Sequence, residues 1–313
     1  DLRTLTGGIT SSADATINGV SIGKGANSVA SNTVLGVTAL DASVTGTYNV
    51  AVGINTLTAL TSGSSNTAVG GEALDTLTTG SSNSAFGSEA LDDCTTGSNN
   101  TGIGVNALQK NTTASNNTAV GRDALLANTT GAGNVAVGYR AADSNTTGTR
   151  LVAIGLDALA TSTTANDNTA IGYNCLNANT SGTQNVALGN YALDANTTAD
   201  DNTGVGYAAL GANTTGEKNT AVGKDSLLLN TTGTLNVAVG QAAMDANTTG
   251  SQNTACGEGA LSENTTANDN TAVGYHSLEV NTTGANNVAV GKDALLSNTT
   301  GSQNVAVGTN ALD

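Results

Sequence analysis

Residues 117–133 read NTAVGRDALLANTTGAG, and variants of this 17-residue unit fill most of the chain. Its central glycine, Gly121, belongs to a series of seventeen glycines spaced 17 residues apart, with no insertion or deletion between them. We take this glycine as phase 0 of each unit and count the other positions from it. A fixed short period over most of a chain is typical of a solenoid, in which each unit packs only on its neighbours. The series is Gly36, Gly53, Gly70, Gly87, Gly104, Gly121, Gly138, Gly155, Gly172, Gly189, Gly206, Gly223, Gly240, Gly257, Gly274, Gly291 and Gly308.

The phases differ in the side chains that they accept. Phase −1 is always apolar, phase −2 is Ala in fourteen units, and phase +4 is Leu in fifteen. Alternation over phases −3 to −1 predicts a short strand, an Ala-Leu pair at +3 and +4 predicts a second one, and Asn-Thr-Thr-Gly predicts a corner. Repeated glycines and Asn/Thr positions disfavour a helix. The sequence therefore predicts an all-β fold, a parallel β-solenoid (β-roll) of 17-residue coils.

One face of the strand points into the coil and the other points outward, and the sequence pattern predicts which residues lie on each. If the large apolar residues face inward, phases −1 and +4 form the core ladder, represented by Val52, Val69, Val120, Val137, Leu74, Leu108, Leu125 and Leu193. Phase −2 then faces outward, and an outward column of Ala is typical of a face packed closely on another chain. This interpretation predicts a homotrimer with an interface ladder formed by Ala51, Ala68, Ala119, Ala136, Ala221 and Ala238. In the alternative, Ala only fits a tight corner within one chain.

The period divides the chain. Residues 1–31 lack it and are predicted to be an N-terminal cap or junction, with Ile9, Ile17 and Ile22 among its apolar residues. Residues 32–313 are predicted to be a repeat shaft of about 17 coils whose C-terminal end is uncapped. Asn at phase −4 in sixteen of the seventeen units predicts a stacked amide ladder, and a second Asn column at phase +7 runs from Asn111 to Asn298, interrupted only by Ser162.

Composition and charge exclude several function classes. The formal net charge is −15, which disfavours nucleic acid and anionic membranes as partners, and no apolar run is long enough for membrane insertion. Cys94, Cys175 and Cys256 fall at three different phases and form no metal-ligand spacing, while His276 is the only histidine. Acids recur at phases +2 and +5 between neutral units, which favours a solvated face over a calcium ladder. We expect no enzyme activity, no catalytic residue, no cofactor and no metal.

Tyrosines recur at one phase in a chain with only 2% aromatic residues. Exposed tyrosines on a solenoid are candidates for contact with glycan, and the alternative is packing at the rim of the coil. The candidate surface-binding residues at phase +1 are Tyr139, Tyr173, Tyr207 and Tyr275.

Residues 134–138, 236–240, 287–291 and 304–308 read NVAVG. This string resembles the head repeat of trimeric autotransporter adhesins, which has an Asn-Ser-Val-Ala-Ile-Gly core and forms a trimeric, left-handed parallel β-roll. The longer 17-residue period and the Asn-Thr-Thr-Gly corner look more like the repeats of phage tail-fibre proteins. The lead-in at residues 15–25, ATINGVSIGKG, is also similar to the segment that opens those repeats.

The resemblance implies a left-handed homotrimeric rod that serves as the structural shaft of a viral (phage) tail fibre or similar appendage and supports host attachment. It implies a place in the virion or at a cell surface. The expected partners are further copies of the chain, other virion or appendage proteins at the N-terminal end, and a host-surface glycan or protein. A trimeric bacterial surface adhesin is the alternative. A third candidate is an ice-binding solenoid, compatible with Thr at phases +8 and +9.

Overall fold

A computed structural model describes residues 14–313. The chain divides into two compact units, of which unit 1 ends at Ala132 and unit 2 spans Gly133–Asp313. Strands, turns and bends account for the regular structure of the described residues, and the coils form a parallel β-solenoid of about 16 turns with about 17 residues each. The predicted fold class is confirmed.

The described part of unit 1 contains an antiparallel hairpin followed by parallel coils. Strand β1 pairs antiparallel with β2, β2 pairs antiparallel with β3, and from β3 to β8 each strand pairs parallel with the next one in the unit. The register places each residue opposite the residue 17 positions later, as in the pair Ala51 and Ala68. The strands are β1 (Ala15–Ile17), β2 (Val20–Gly23), β3 (Thr33–Gly36), β4 (Val50–Val52), β5 (Thr67–Val69), β6 (Ser84–Phe86), β7 (Thr101–Ile103) and β8 (Thr118–Val120).

Unit 2 contains parallel coils throughout, in the same register, with Ala153 opposite Ala170. Its strands are β9 (Val135–Val137), β10 (Val152–Ile154), β11 (Thr169–Ile171), β12 (Val186–Leu188), β13 (Thr203–Val205), β14 (Thr220–Val222), β15 (Val237–Val239), β16 (Thr254–Cys256), β17 (Thr271–Val273), β18 (Val288–Val290) and β19 (Val305–Val307). The cap or junction role of residues 1–31 and the handedness of the coils stay predictions. Ile9 lies outside the described residues.

The expected second strand at phases +3 and +4 is absent from the described coils, because the backbone turns there. Phase +4 has a positive φ in every coil, between 49° at Leu40 and 56° at Leu91, and phases +2 and +12 are also left-handed. β-Branched residues are strained in this region, whereas Leu, Ala, Met and Asn tolerate it better. Thr38 is the only Val, Ile or Thr at any of these three phases. Phase +4 therefore avoids β-branched residues, and its Leu side chains fill the core.

The inside and outside of the strand are the reverse of those predicted. The alanines assigned to an intermolecular interface are fully buried within their own chain: Ala51, Ala68, Ala119, Ala136, Ala221 and Ala238. The valines assigned to the core lie on the outer side of the strand and are half-buried: Val52, Val69, Val120 and Val137. The leucines at phase +4 do fill the interior: Leu74, Leu108, Leu125 and Leu193.

The narrow interior explains this reversal. Where glycine replaces Ala at phase −2, a Cβ would lie 3.4 Å from the side chain of Leu91 at Gly102 and 3.3 Å from that of Leu193 at Gly204. One methyl group therefore completes the contact with the Leu of the preceding coil, and a larger side chain would collide with it. Small residues at phase −2 are required by packing within the chain.

Buried amides fill the rest of the interior. The backbone N–H of Asn66 donates to Oδ1 of Asn49 at 3.0 Å, and this bond repeats from coil to coil at phase −4. In the coil of Gly104, Asn100 at phase −4 and Asn111 at phase +7 both donate their side-chain N–H to the carbonyl of Ala114, at 2.9 and 3.1 Å. Buried polar groups are stable only when they are paired, and the two columns pair each other and the corner carbonyl.

The phase 0 glycines stack directly on each other. From Gly53 onward their φ lies between 131° and 143°, a region closed to other residues. A Cβ at Gly70 would collide with the carbonyl oxygen of Gly87, and a Cβ at Gly206 would collide with that of Gly223. Each such coil therefore needs glycine for its own backbone and for the approach of the next coil.

Gly70 and the adjacent Gly71 provide a matched test of this constraint. Gly71 lacks a positive φ, and a Cβ there would lie 3.4 Å from its nearest neighbour, Ile54. We expect Gly70→Ala to lower the free energy of unfolding by about 3 kcal/mol or more, from strain and collision, and Gly71→Ala to change it by less than about 1 kcal/mol. Denaturant unfolding of both variants measures the difference. Equal effects would show that phase 0 has no special requirement.

One coil of unit 2 interrupts both amide columns. Leu151 replaces Asn at phase −4 and Ser162 replaces Asn at phase +7, so neither side chain can supply the amide that other coils use. The Ser162 Oγ is buried and has no hydrogen-bond partner. This coil therefore lacks part of the hydrogen bonding that stabilises its neighbours.

Restoring the two amides should stabilise the protein. We expect Leu151→Asn combined with Ser162→Asn to raise the free energy of unfolding by about 1–3 kcal/mol, because several buried hydrogen bonds are regained. The reverse pair in the coil of Gly206, Asn202→Leu with Asn213→Ser, should lower it by a similar amount. Denaturant unfolding checks both. A repaired variant less stable than the original would contradict the stabilising role of the amide columns.

Candidate binding surfaces

The outer strand face is the first candidate surface, and it consists of the side chains at phases −3 and −1. No charged residue occurs at either phase in any coil. Phase −3 is Val, Thr or Ser, and phase −1 is Val, Ile, Leu, Phe or Cys. Several of these side chains are well exposed, with Leu35 and Leu188 each 44% accessible. A monomeric protein rarely exposes so regular an apolar stripe.

Charges are placed on other sides of the coil. Asp167 at phase +12 pairs with Arg150 one coil earlier, at 2.5 Å from Nε to Oδ1, and Asp93 at phase +6 pairs with Lys110 at 3.1 Å. Further basic residues with an acidic neighbour are Arg122, Arg140, Lys224 and Lys292. These six positive charges are therefore scattered and locally neutralised, unlike the basic stripe that a phosphate backbone requires.

The cysteines differ sharply in environment. Cys94 and Cys175 are buried in the interior, and burial raises the pKa of their thiols to about 11 and about 12. Thiols with such pKa values are poor nucleophiles at neutral pH. Cys256 is exposed on the outer strand face at phase −1. Residues 14–313 contain no grouping of His, Cys, Asp and Glu suited to a metal ion. Nor do they include a helix with the length and apolar character that a membrane crossing needs.

Unit 1 carries a cluster of carboxylates on successive coils. Asp92 is half-buried, and its pKa is raised to about 6, first by burial and then by Asp93, Asp75, Glu72 and Glu89. Like charges at this density disfavour ionisation. The unfolded carboxyl titrates near its ordinary value of 3.8. The folded state therefore binds this proton more tightly than the unfolded state, so ionisation of Asp92 destabilises the fold.

The sign of this effect gives a pH prediction. Stability should fall as pH rises from about 4 through about 6, where the folded carboxyl loses its proton, and then level off. Asp92→Asn should raise the thermal midpoint at pH 8 and leave it nearly unchanged at pH 4. Asp41→Asn, at the same phase but exposed, is the control. A lower midpoint for Asp92→Asn at pH 8 would contradict this account.

The tyrosines separate into one cluster and isolated rings. Tyr191 at phase +2 lies between Tyr173 and Tyr207 at phase +1, with T-shaped contacts at centroid distances of 5.2 and 5.8 Å. Tyr275 instead stacks on His276 at 3.8 Å, with Lys292 Nζ 5.9 Å from its ring centroid. Of the four predicted positions, Tyr173 and Tyr207 are brought together and Tyr275 is held separately. Tyr139 is exposed and takes no part in these ring contacts.

The sequence places Tyr191 one phase later than the other tyrosines, and for that reason it is not among the predicted surface-binding residues. Its ring nevertheless joins Tyr173 to Tyr207, since one coil step brings phase +2 beside phase +1 of both neighbouring coils. Burial and the adjacent tyrosines raise the pKa of Tyr191. The sequence does indicate this contact: the coil of Gly172 has Tyr173 followed by Asn174, and the next coil has the reverse order, Asn190 followed by Tyr191.

A shallow cavity of about 380 Å³ opens beside Gly259. Its lining includes Asp245, Glu258, Glu263 and Glu279, and His276 Nδ1 lies 3.0 Å from a Glu279 carboxylate oxygen. The cavity exists because phase +2 holds Ala242 and Gly259 in successive coils. It is open to solvent, and four of its lining side chains are carboxylates.

The Asn-Thr-Thr corners expose only part of their side chains. The Thr214 hydroxyl at phase +8 donates to the carbonyl of Thr231 in the next coil at 3.0 Å, and this bond recurs along the column. Thr at phase +9 is exposed, so the two Thr columns do not form one flat hydroxyl array of the kind that an ice-binding surface needs. The phase +7 Asn of every Asn-Thr-Thr triplet except the one at Asn298 is buried with its amide donating inside the coil, as at Asn213, and is inaccessible to glycosylation in the folded chain.

A comparison with protein-family models gives no match, and a comparison with curated proteins gives none either. The function is therefore argued from the outer strand face, the charge distribution and the tyrosine cluster.

Proposed function

We propose that this chain forms the shaft of a homotrimeric fibre, of the type found in viral (phage) tail fibres, that supports attachment to a host. The observation that carries the proposal is the outer strand face, which is free of charge and has an apolar side chain at phase −1 in coil after coil. Burying such a face against other chains removes apolar area from water at about 25 cal/mol per Å². The buried centre of protein interfaces is likewise depleted of charged residues.

Further copies of the same chain are the partner that fits this face best. In unit 2 the face spans eleven coils, about 50 Å at about 4.8 Å per coil. A second copy laid parallel has the same coil spacing, so one lateral match repeats along the whole face. Each copy carries a net charge of −15, which opposes association wherever acids meet. The contact therefore favours a side from which charge is excluded, and the outer strand face is such a side with an apolar residue at phase −1 of every coil.

The number of copies and the biological setting rest on the resemblance to tail-fibre and adhesin repeats. We assign three copies, a location in the virion or at a cell surface, other virion or appendage proteins as partners at the N-terminal end, and a host-surface glycan or protein as the external partner. A trimeric bacterial adhesin is the second candidate, favoured by the exposed tyrosine cluster, which would let the side of the fibre bind. Neither function requires a catalytic residue, a cofactor or a metal.

Charge placed on the outer strand face should dissociate the assembly. We expect the soluble chain to have a native mass near three times 30.4 kDa, measured by light scattering. Val222→Glu combined with Val239→Glu should convert it to monomer, because six buried carboxylates would meet without partners. Thr232→Glu with Thr249→Glu adds the same charge to exposed positions of the same two coils and should leave the trimer intact. A folded, monomeric wild type would overturn the proposal.

Cys256 reports independently on the same face. In the trimer a water-soluble thiol reagent should modify it slowly, and in the monomeric Val222→Glu, Val239→Glu variant rapidly. Cys94 and Cys175 should stay unmodified in both, because they are buried. Rapid modification of Cys256 in an intact trimer would place the interface on another side of the coil.

A further inference from the structure

We propose that Tyr173, Tyr191 and Tyr207, here called the tyrosine platform, bind a neutral, extended polysaccharide that lies along the coil axis of unit 2. The inference rests on the proposed appendage function for its setting, since a fibre that meets a cell surface meets polysaccharide there. Its structural argument is separate and uses only the geometry and charge of these coils.

The rarity of aromatic residues makes their clustering informative. The chain has six Tyr, one Phe and no Trp, and three of the tyrosines lie in three successive coils. The interior of those coils is complete without them, since it consists of Ala, Leu and Asn columns. Tyr173 and Tyr207 stay 39% and 51% exposed, so folding of the chain does not account for their presence. Exposed aromatic clusters are typical of recognition surfaces.

The platform is held rigid before any ligand arrives. Tyr191 contacts both flanking rings edge-on, at interplanar angles of 86° and 78°, which leaves Tyr173 and Tyr207 on either side of it. The backbone N–H of Tyr191 also donates to the carbonyl of Tyr173 at 3.0 Å. A preorganised surface loses little side-chain entropy on binding.

The spacing of the rings fits a linear sugar chain. Tyr173 and Tyr207 are two coils apart, roughly 10 Å along the axis. This is about the length of one disaccharide in an extended β-linked polysaccharide, so alternate sugars can place their apolar C–H faces on the two rings. Tyr139, two coils before Tyr173 at the same phase, continues the series.

Polar side chains beside the rings suit sugar hydroxyls, and their charge selects a neutral ligand. Asn190 lies at phase +1 between Tyr173 and Tyr207, and its Oδ1 accepts the backbone N–H of Tyr173 at 3.0 Å, which fixes the amide on the exposed surface. Asp194 lies near Tyr191. Residues 173–207 contain no Lys or Arg, whereas an anionic polysaccharide would need basic partners.

The competing explanation is that the tyrosines pack between copies of the chain at the rim of the outer strand face. The two explanations differ in what removal of the rings changes. Rim packing predicts a weaker assembly and no effect on a sugar ligand. A binding platform predicts the opposite pattern.

The test uses the full chain and three neutral, linear probes: cellohexaose, chitohexaose and mannohexaose. We expect at least one to bind the wild type in titration calorimetry, and Tyr173→Ala combined with Tyr207→Ala to weaken that binding at least ten-fold at unchanged native mass. Tyr48→Ala, an isolated and exposed tyrosine of unit 1, is the matched control and should bind as the wild type does.

Failure has three forms, and each overturns the platform. The first is that no probe binds the wild type, and the second is that the double variant binds as well as the wild type. The third is that the double variant loses its native assembly, which would assign the tyrosines to contacts between copies. Tyrosine-dependent binding by a chain that proves monomeric would support the platform while contradicting the proposed trimer, so the two proposals fail separately.

Discussion

The approach of one phase 0 glycine to the next is the constraint on which the rest of the solenoid depends. The backbone at this phase has a φ that only glycine adopts freely, and the carbonyl of the next coil occupies the space that a Cβ would need. Because each coil is seated in this way, an inserted or deleted residue would displace every later column. The same stacking of coils brings residues of equal phase into contact along each unit. A residue type that recurs at one phase therefore forms a continuous column.

Repetition of weak interactions along the columns makes the solenoid a cooperative structure. An Asn at phase −4 receives a backbone N–H from the next coil and donates to a corner carbonyl of its own coil, so each amide satisfies groups in two coils. The interior is therefore divided between an apolar side of Ala and Leu and a polar side of amides. The columns also separate chemistries on the exterior, since the outer strand face carries no charge while acids and tyrosines occupy phases beyond the glycine.

The period and the Asn columns were sufficient to predict the solenoid, because in-register stacking is the simplest structure that keeps apolar residues at fixed phases. The orientation of the strand was mispredicted, because we took residue size as a guide to burial. In a coil this narrow the interior accepts only a methyl group opposite Leu, as the contacts of Gly102 show, so Val must face outward. The absence of charge at phases −3 and −1 then marks a surface for association. The avoidance of β-branched residues at phase +4 could have revealed the left-handed turn that replaced the expected second strand.

The central claim is that alanine at phase −2 faces the interior and valine at phase −1 faces outward. Met244, the only methionine, stands at phase +4 and tests it directly. Met244 has the same phase as Leu91, and Ala255 in the next coil has the same phase as Gly102. Nuclear Overhauser spectra of protein with labelled Met, Ala and Val methyl groups should therefore show a cross-peak between Met244 and Ala255. A cross-peak from Met244 to Val239, the phase −1 valine of its own coil, with none to Ala255, would contradict the account.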